Sequence, residues 1–148
     1  MKKQLLQIAT TLSLCLMLGV IANAQMTRQM TVTVPFAFHV GKTALPAGTY
    51  TVYGTSTNTG DGFLLRDADG HVKAVFNGQQ VQAGARSVAR LEFRRYSGNY
   101  FLGRVWAAGT DIGRELQQSR FEREAAQSDA RHLAQKNVKP EVITVTAQ

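Results

Sequence analysis

Side chains able to do chemistry are sparse in this chain, and their spacing argues against most reactions. His39, His71 and His132 are its three histidines. They stand far apart in sequence, without acidic partners at ligand spacing, so no zinc-type site is expected from them. Asp67-x-Asp69-Gly70 resembles the opening of a calcium loop, but the third ligand position holds His71 and the distal glutamate is missing. A plain Asp/Gly hairpin turn is the better reading. Serine chemistry fares no better, because no Gly-x-Ser-x-Gly elbow is present. Leu45-Pro46-Ala47-Gly48-Thr49 echoes a sorting signal, yet its residue order is wrong and it lies mid-domain with no apolar tail after it. No catalytic residue, metal or cofactor is expected, and the chain reads as non-enzymatic.

One constellation stands out. Arg86, Arg90, Arg94, Arg95 and Arg104 are interleaved with Phe93, Tyr96, Tyr100 and Trp106 around a single hairpin. Basic strands that carry aromatics hold polyanions through charge and stacking. The binding candidates are Arg90, Arg94, Arg104, Tyr96, Tyr100 and Trp106. The blander reading is a solvated positive sheet face with Glu92 pairing into it.

The elements that position these residues are strands. Val88–Tyr96 and Tyr100–Ala107 flank Ser97-Gly98-Asn99. A three-residue loop there sets Tyr96 opposite Tyr100, Arg94 opposite Leu102, Glu92 opposite Arg104 and Leu91 opposite Val105. In that register Arg90, Arg94 and Arg104 share a face with Tyr96, Tyr100 and Trp106. The centre of the fold is expected earlier, in Thr31–Val40. There Val32, Val34, Phe36, Phe38 and Val40 alternate without a miss, the period of a half-buried strand. Pro35 cannot donate to a ladder, which makes this an edge strand or places a bulge at Pro35. His39 falls on the opposite face.

Further strands are expected at Tyr50–Tyr53, Phe63–Arg66 and His71–Phe76, with a loop over Gly54–Gly62 and a turn at Asn77-Gly78. A short strand about Val81 is harder to place. Ser119-Arg120-Phe121-Glu122 fits a capping box, and the Ala-, Glu- and Arg-rich run behind it has neither Pro nor Gly, which predicts a surface helix at about 119–135. A final strand is expected at about 141–147.

The amino terminus belongs to none of this. Lys2 and Lys3 precede an uncharged apolar run from Leu5 to Ile21, and Ala22-Asn23-Ala24 offers a small-x-small cleavage site. Residues 1–24 therefore read as a signal peptide, followed by a single β-rich domain over 25–148. Leu14 before Cys15 is too bulky for a lipoprotein site. Cleavage removes the one cysteine and two lysines, taking the formal charge from +7 to +5. The exported domain has no disulfide, so burial must hold it together. No later segment is apolar for long enough to cross a membrane.

The run Val34-Pro35-Phe36-x-Phe38-x-Val40-Gly41, with Leu45-Pro46-Ala47-Gly48-x-Tyr50-x-Val52, resembles a group of small secreted β-rich proteins of soil Gram-negative bacteria. The likeness continues through Leu64-Leu65-Arg66, Phe93-x-Arg95-Tyr96, Tyr100-Phe101-Leu102 and Gly113-Arg114-Glu115-Leu116, to Ser119-Arg120 and Val142–Thr146. The group often carries Pro after Gly-Arg-Glu-Leu, where this chain has Gln117, and it supplies no catalytic residues to carry over. The expectation is an antiparallel β-sandwich or partly open barrel of about seven strands with one surface helix. Its expected place is the periplasm or outside the cell, as an envelope module that is structural or binds anionic polysaccharide or lipid headgroups rather than nucleic acid. A small hydrolase or a lipocalin-like carrier is the alternative.

Overall fold

Apolar alternation from Val32 to Val40 does set the centre of the molecule, but from two strands rather than one. The computed structural model describes residues 29–57, 60–134 and 141–147 of the chain. The expected signal peptide lies outside these residues. The strands are β1 (Gln29–Val34), β2 (Phe38–Val40), β3 (Thr43–Leu45), β4 (Gly48–Thr57), β5 (Gly60–Arg66), β6 (Val72–Arg86), β7 (Arg90–Tyr96), β8 (Asn99–Trp106), β9 (Thr110–Leu116) and β10 (Glu141–Thr146). Among the described residues one helix, α1 (Arg120–Ala134), precedes β10. Pro35, Phe36 and Ala37 fall between β1 and β2. Pro35 has no N–H to give a ladder, and the chain uses the break to leave β4, the partner of β1, and join β3 and β8. Val32, Val34, Phe38 and Val40 are all buried, whereas Phe36 in the crossing is only half-buried.

Among the described residues ten strands form where about seven were expected, and the extra ones have identifiable causes. Gly54–Gly62 is not a loop: Thr55 pairs Gly62, Ser56 pairs Asp61 and Thr57 pairs Gly60, lengthening the β4–β5 hairpin. Thr is β-branched and strand-forming, so turn-like composition misled there. Asn77-Gly78 is no turn either, since β6 runs straight through it. A Cβ on Gly78 would lie 2.9 Å from the Arg114 Cβ and 3.1 Å from the Glu115 carbonyl oxygen. The glycine serves the close approach of β9 rather than a bend. β9 itself has too little apolar alternation to announce a strand.

The hydrogen-bonded order is β1-β4-β5-β6-β9-β8-β2-β3, an open sheet, with β7 on β8 and β10 on β7. β6 joins its two parts, pairing β5 through Asn77 and β9 from Gly78 onward. Every pairing is antiparallel except the single contact of β2 with β8, His39 to Phe101. Both parts feed one core: Val32, Val34, Tyr50, Val52 and Leu65 from the first, Leu91, Phe93, Leu102 and Val105 from the second.

The capping box forms as expected. The Glu122 N–H donates to Ser119 Oγ at 3.1 Å, and the Glu122 carboxylate accepts from the Ser119 backbone. Among the described residues no helix is long and apolar enough to cross a membrane.

Candidate functional site

Hairpin β7–β8 turns on two residues rather than three. Ser97 and Gly98 both take positive φ, 48° and 83°, the paired left-handed geometry that matches strand twist in a tight hairpin, and Tyr96 pairs Asn99. Beyond the turn Arg95 pairs Tyr100, Arg94 pairs Phe101 and Phe93 pairs Leu102. A bulge then absorbs Gly103, and Glu92 pairs Arg104 and Leu91 pairs Val105, as the sequence predicts. The expected register is thus right below the bulge and one residue out above it.

That shift sorts the aromatics. Arg90, Glu92, Arg94 and Tyr96 share one face with Phe101, Arg104 and Trp106. Tyr100 pairs Arg95 and so lies on the other face, contrary to expectation. Its ring stacks on Phe36 at 4.0 Å between centroids, with the Arg95 guanidinium 5.7 Å from its own centroid. Arg95 also holds Glu141 at 2.7 Å. The arginines set apart by the sequence are therefore on two faces, with different partners.

The shared face carries an alternating lattice of charge. Arg90 Nη2 meets Glu92 Oε1 at 2.5 Å, and Glu92 Oε2 lies 3.7 Å from Arg104 Nη1. Arg104 Nη2 reaches Glu115 Oε1 at 3.2 Å, and that same oxygen lies 3.3 Å from Arg94 Nη1. Arg94 Nε donates to Glu122 Oε1 at 2.6 Å, and its Nη2 to the Leu116 carbonyl at 3.2 Å. Three arginines and three glutamates from β7, β8, β9 and α1 thereby neutralise one another. Arg90 and Arg94 side chains are 18% and 17% exposed, against 43% for Arg104. Arg94 lies along Gly103, whose absent Cβ would stand 3.2 Å from Arg94 Nε. The bulge glycine thus makes room for the guanidinium.

Aromatic rings close both ends. Trp106 is buried, and the Arg90 guanidinium sits 5.7 Å from its ring centroid. At the other end Phe101 contacts His39 at 5.1 Å and Phe121 of the helix at 5.6 Å. His39, expected on the face opposite Phe38, lies there, between the sheet and the helix. Tyr96 accepts from Gln118 Nε2 at 3.3 Å, and burial pushes its hydroxyl pKa up. Burial likewise pushes Glu122 above the usual glutamate range, against the opposing pull of Arg94. Residues outside the predicted set, namely Glu115, Glu122, Gly103 and Gly113, complete the arrangement.

No family model, curated protein or solved structure matches the chain. Its chemistry must be read from the arrangement itself. A face already balanced in charge can clamp a helix to a sheet, and only Arg104 retains substantial exposure for an anion.

The histidines need one correction. The fold does give His71 acidic neighbours: ligand atoms of Asp67, Asp69 and His71 all lie within 4.8 Å of one another. Lys73 Nζ stands 2.9 Å from Asp67 Oδ2, and the His71 backbone N–H donates to Asp67 Oδ1 at 2.8 Å. Lys73 holds the Asp67 carboxyl below its ordinary range, so the carboxylate a cation would need is already engaged.

The lattice depends on the glycine beneath its tryptophan. A Cβ on Gly113 would meet the Trp106 ring at 2.5 Å. Gly113→Ala should therefore cost about 1–3 kcal/mol by overpacking, read as a lower urea midpoint. Trp106 is the sole tryptophan, so its near-ultraviolet circular dichroism reports the displacement directly. An unchanged midpoint and spectrum would show that the ring does not rest on Gly113.

Proposed function

We propose that this chain is an exported, non-enzymatic module of the cell envelope, one of the small secreted β-rich proteins its sequence resembles. The supporting observation is the lattice: the ionisable side chains of the β7–β8 hairpin face are committed to neutralising one another and anchoring α1. In a domain whose leader carries the sole cysteine, ion pairs and packing take the place of disulfides. We read the two parts of the sheet, joined through β6, as the layers of a β-sandwich facing each other across the shared core. That core is occupied by Leu65, Phe93 and Leu102, each at most 2% exposed, which weighs against a carrier that holds its ligand inside.

The binding side of this reading falls to Arg104, which is flanked by Trp106 and leads to an anionic polysaccharide or lipid headgroup. An epitope-tagged chain should fractionate with the envelope, begin at Gln25, and leave that fraction as salt rises, since exposed charge is screened. Arg104→Gln should come away at lower salt. Recovery from the cytosol with Met1 intact would overturn export, and salt-independent retention shared by the variant would overturn the role of Arg104.

A further inference from the structure

A second surface, which meets the lattice at Leu116, has the features of a peptide site. Among the described residues, Val72–Asn77 of β6 pair with β5 alone, because pairing with β9 begins only at Gly78. Among them β3 pairs with β2 alone. A groove of about 550 Å³ is lined by Lys42 of the β2–β3 turn and Thr43 of β3, by Val75 and Asn77 of β6, and by Leu116 and Gln117. Val75 is 69% exposed, the highest among the exposed large apolar side chains of the described residues. Lys42 is the one charged residue among those lining the groove.

We propose that this groove receives an extended acidic peptide segment of another protein, added as a strand along β6. Unpaired N–H and C=O groups at strand spacing are matched by another extended backbone, which makes an open edge a template for strand addition. Alternate side chains of such a segment would fall beside Val75. Lys42 in the lining gives the charge preference, with no acidic group among the lining residues to offset it. The same feature disfavours a second copy of this chain, since the mature domain is itself net positive and would bring one Lys42 against another. The groove meets the lattice at Leu116, whose carbonyl accepts from Arg94, but does not include Arg104, so the inference stands apart from the role given to Arg104.

The test is a display library of random linear peptides panned on the mature protein, with synthetic versions of the enriched peptides measured by fluorescence anisotropy. Enriched peptides should alternate apolar and polar residues and carry Asp or Glu. N-methylation of alternate backbone amides should weaken binding about tenfold, as expected when a strand hydrogen bond or two is lost. Val75→Lys and Lys42→Glu should weaken it as well, while Arg104→Gln leaves it unchanged. Both altered side chains are exposed, so the variants should keep the wild-type circular dichroism. Failure to enrich any peptide would overturn the proposal. So would enriched peptides that tolerate N-methylation or bind Val75→Lys as well as wild type. Sedimentation showing self-association abolished by Val75→Lys would assign the edge to a second copy instead.

Discussion

Arg94→Ala should destabilise the domain by about 3–5 kcal/mol at neutral pH, the cost typical of removing one partner from a buried ion pair. Glu122 is 3% exposed, and its carboxylate depends on Arg94 for its closest contact, 2.6 Å from Nε. Without the guanidinium a buried charge is left uncompensated. The loss should be pH-dependent with a definite sign. A carboxyl whose folded pKa is raised contributes no penalty below its unfolded pKa, where both states are protonated. The penalty develops as pH rises from the unfolded value, near 4.5, toward the folded one. Removing Arg94 raises the folded value further and so widens that window. The gap between wild type and Arg94→Ala should therefore shrink on acidification toward that pH and be largest at neutrality. Urea unfolding across the range measures it. A second variant separates charge from packing: Arg94→Met combined with Glu122→Leu should lie near wild type, since apolar replacement of both partners is often neutral or better. An Arg94→Ala gap that is flat with pH would show that Glu122 is not the group left stranded.

The reasons that some of this was legible and some was not are local. Period-2 alternation from Val32 to Val40 identifies Val32, Val34, Phe38 and Val40 correctly because burial follows side-chain parity within each strand, but it overrates Phe36, which falls in the break at Pro35–Ala37. The break itself is a tertiary fact, set by which strand each half pairs with. The capping box at Ser119 was readable because it is decided within four residues. Asn77-Gly78 misled because the same glycine that permits a turn also permits close approach, and only the position of β9 decides between them. The lattice was half visible. Glu92 opposite Arg104 follows from hairpin counting, but the two-residue turn and the compensating bulge at Gly103 cancel below Glu92 and so leave no trace there. Above the bulge they move Tyr100 to the other face. Glu115 and Glu122 arrive from β9 and α1, at separations in sequence that no local spacing rule reaches. Basic and aromatic residue types alone therefore suggested a binding patch, while their partners make most of it an anchor.

Phe38→Ala should produce a loss of comparable size, about 3–5 kcal/mol, as a large-to-small change at a site without solvent. Phe38 is 1% exposed, and its ring meets Tyr50 at 5.3 Å and Phe93 at 5.3 Å, both edge-on. Tyr50 comes from β4 and Phe93 from β7, so the ring ties together the two parts of the sheet that β6 connects. Tyr50 cannot readily shift to fill the void, because its hydroxyl donates to the Pro46 carbonyl at 2.7 Å. Parity alone would rank Phe36 with Phe38. The crossing at Pro35–Ala37 separates them, leaving Phe36 half-buried against Phe93 and Tyr100. Phe36→Ala should accordingly cost distinctly less, and His39→Ala less again. Phe38→Ala and Phe93→Ala together should lose less than the sum of the single losses, because the two rings are in contact and share one cavity. Since a domain of this kind has only about 5–15 kcal/mol in all, Phe38→Ala would remove a large share of it. Denaturant midpoints for the four single variants and the Phe38/Phe93 double variant settle the order. Equal losses at Phe36 and Phe38 would mean that the chain does not change partners between them, and full additivity with Phe93 would mean that the two parts of the sheet do not meet at this ring.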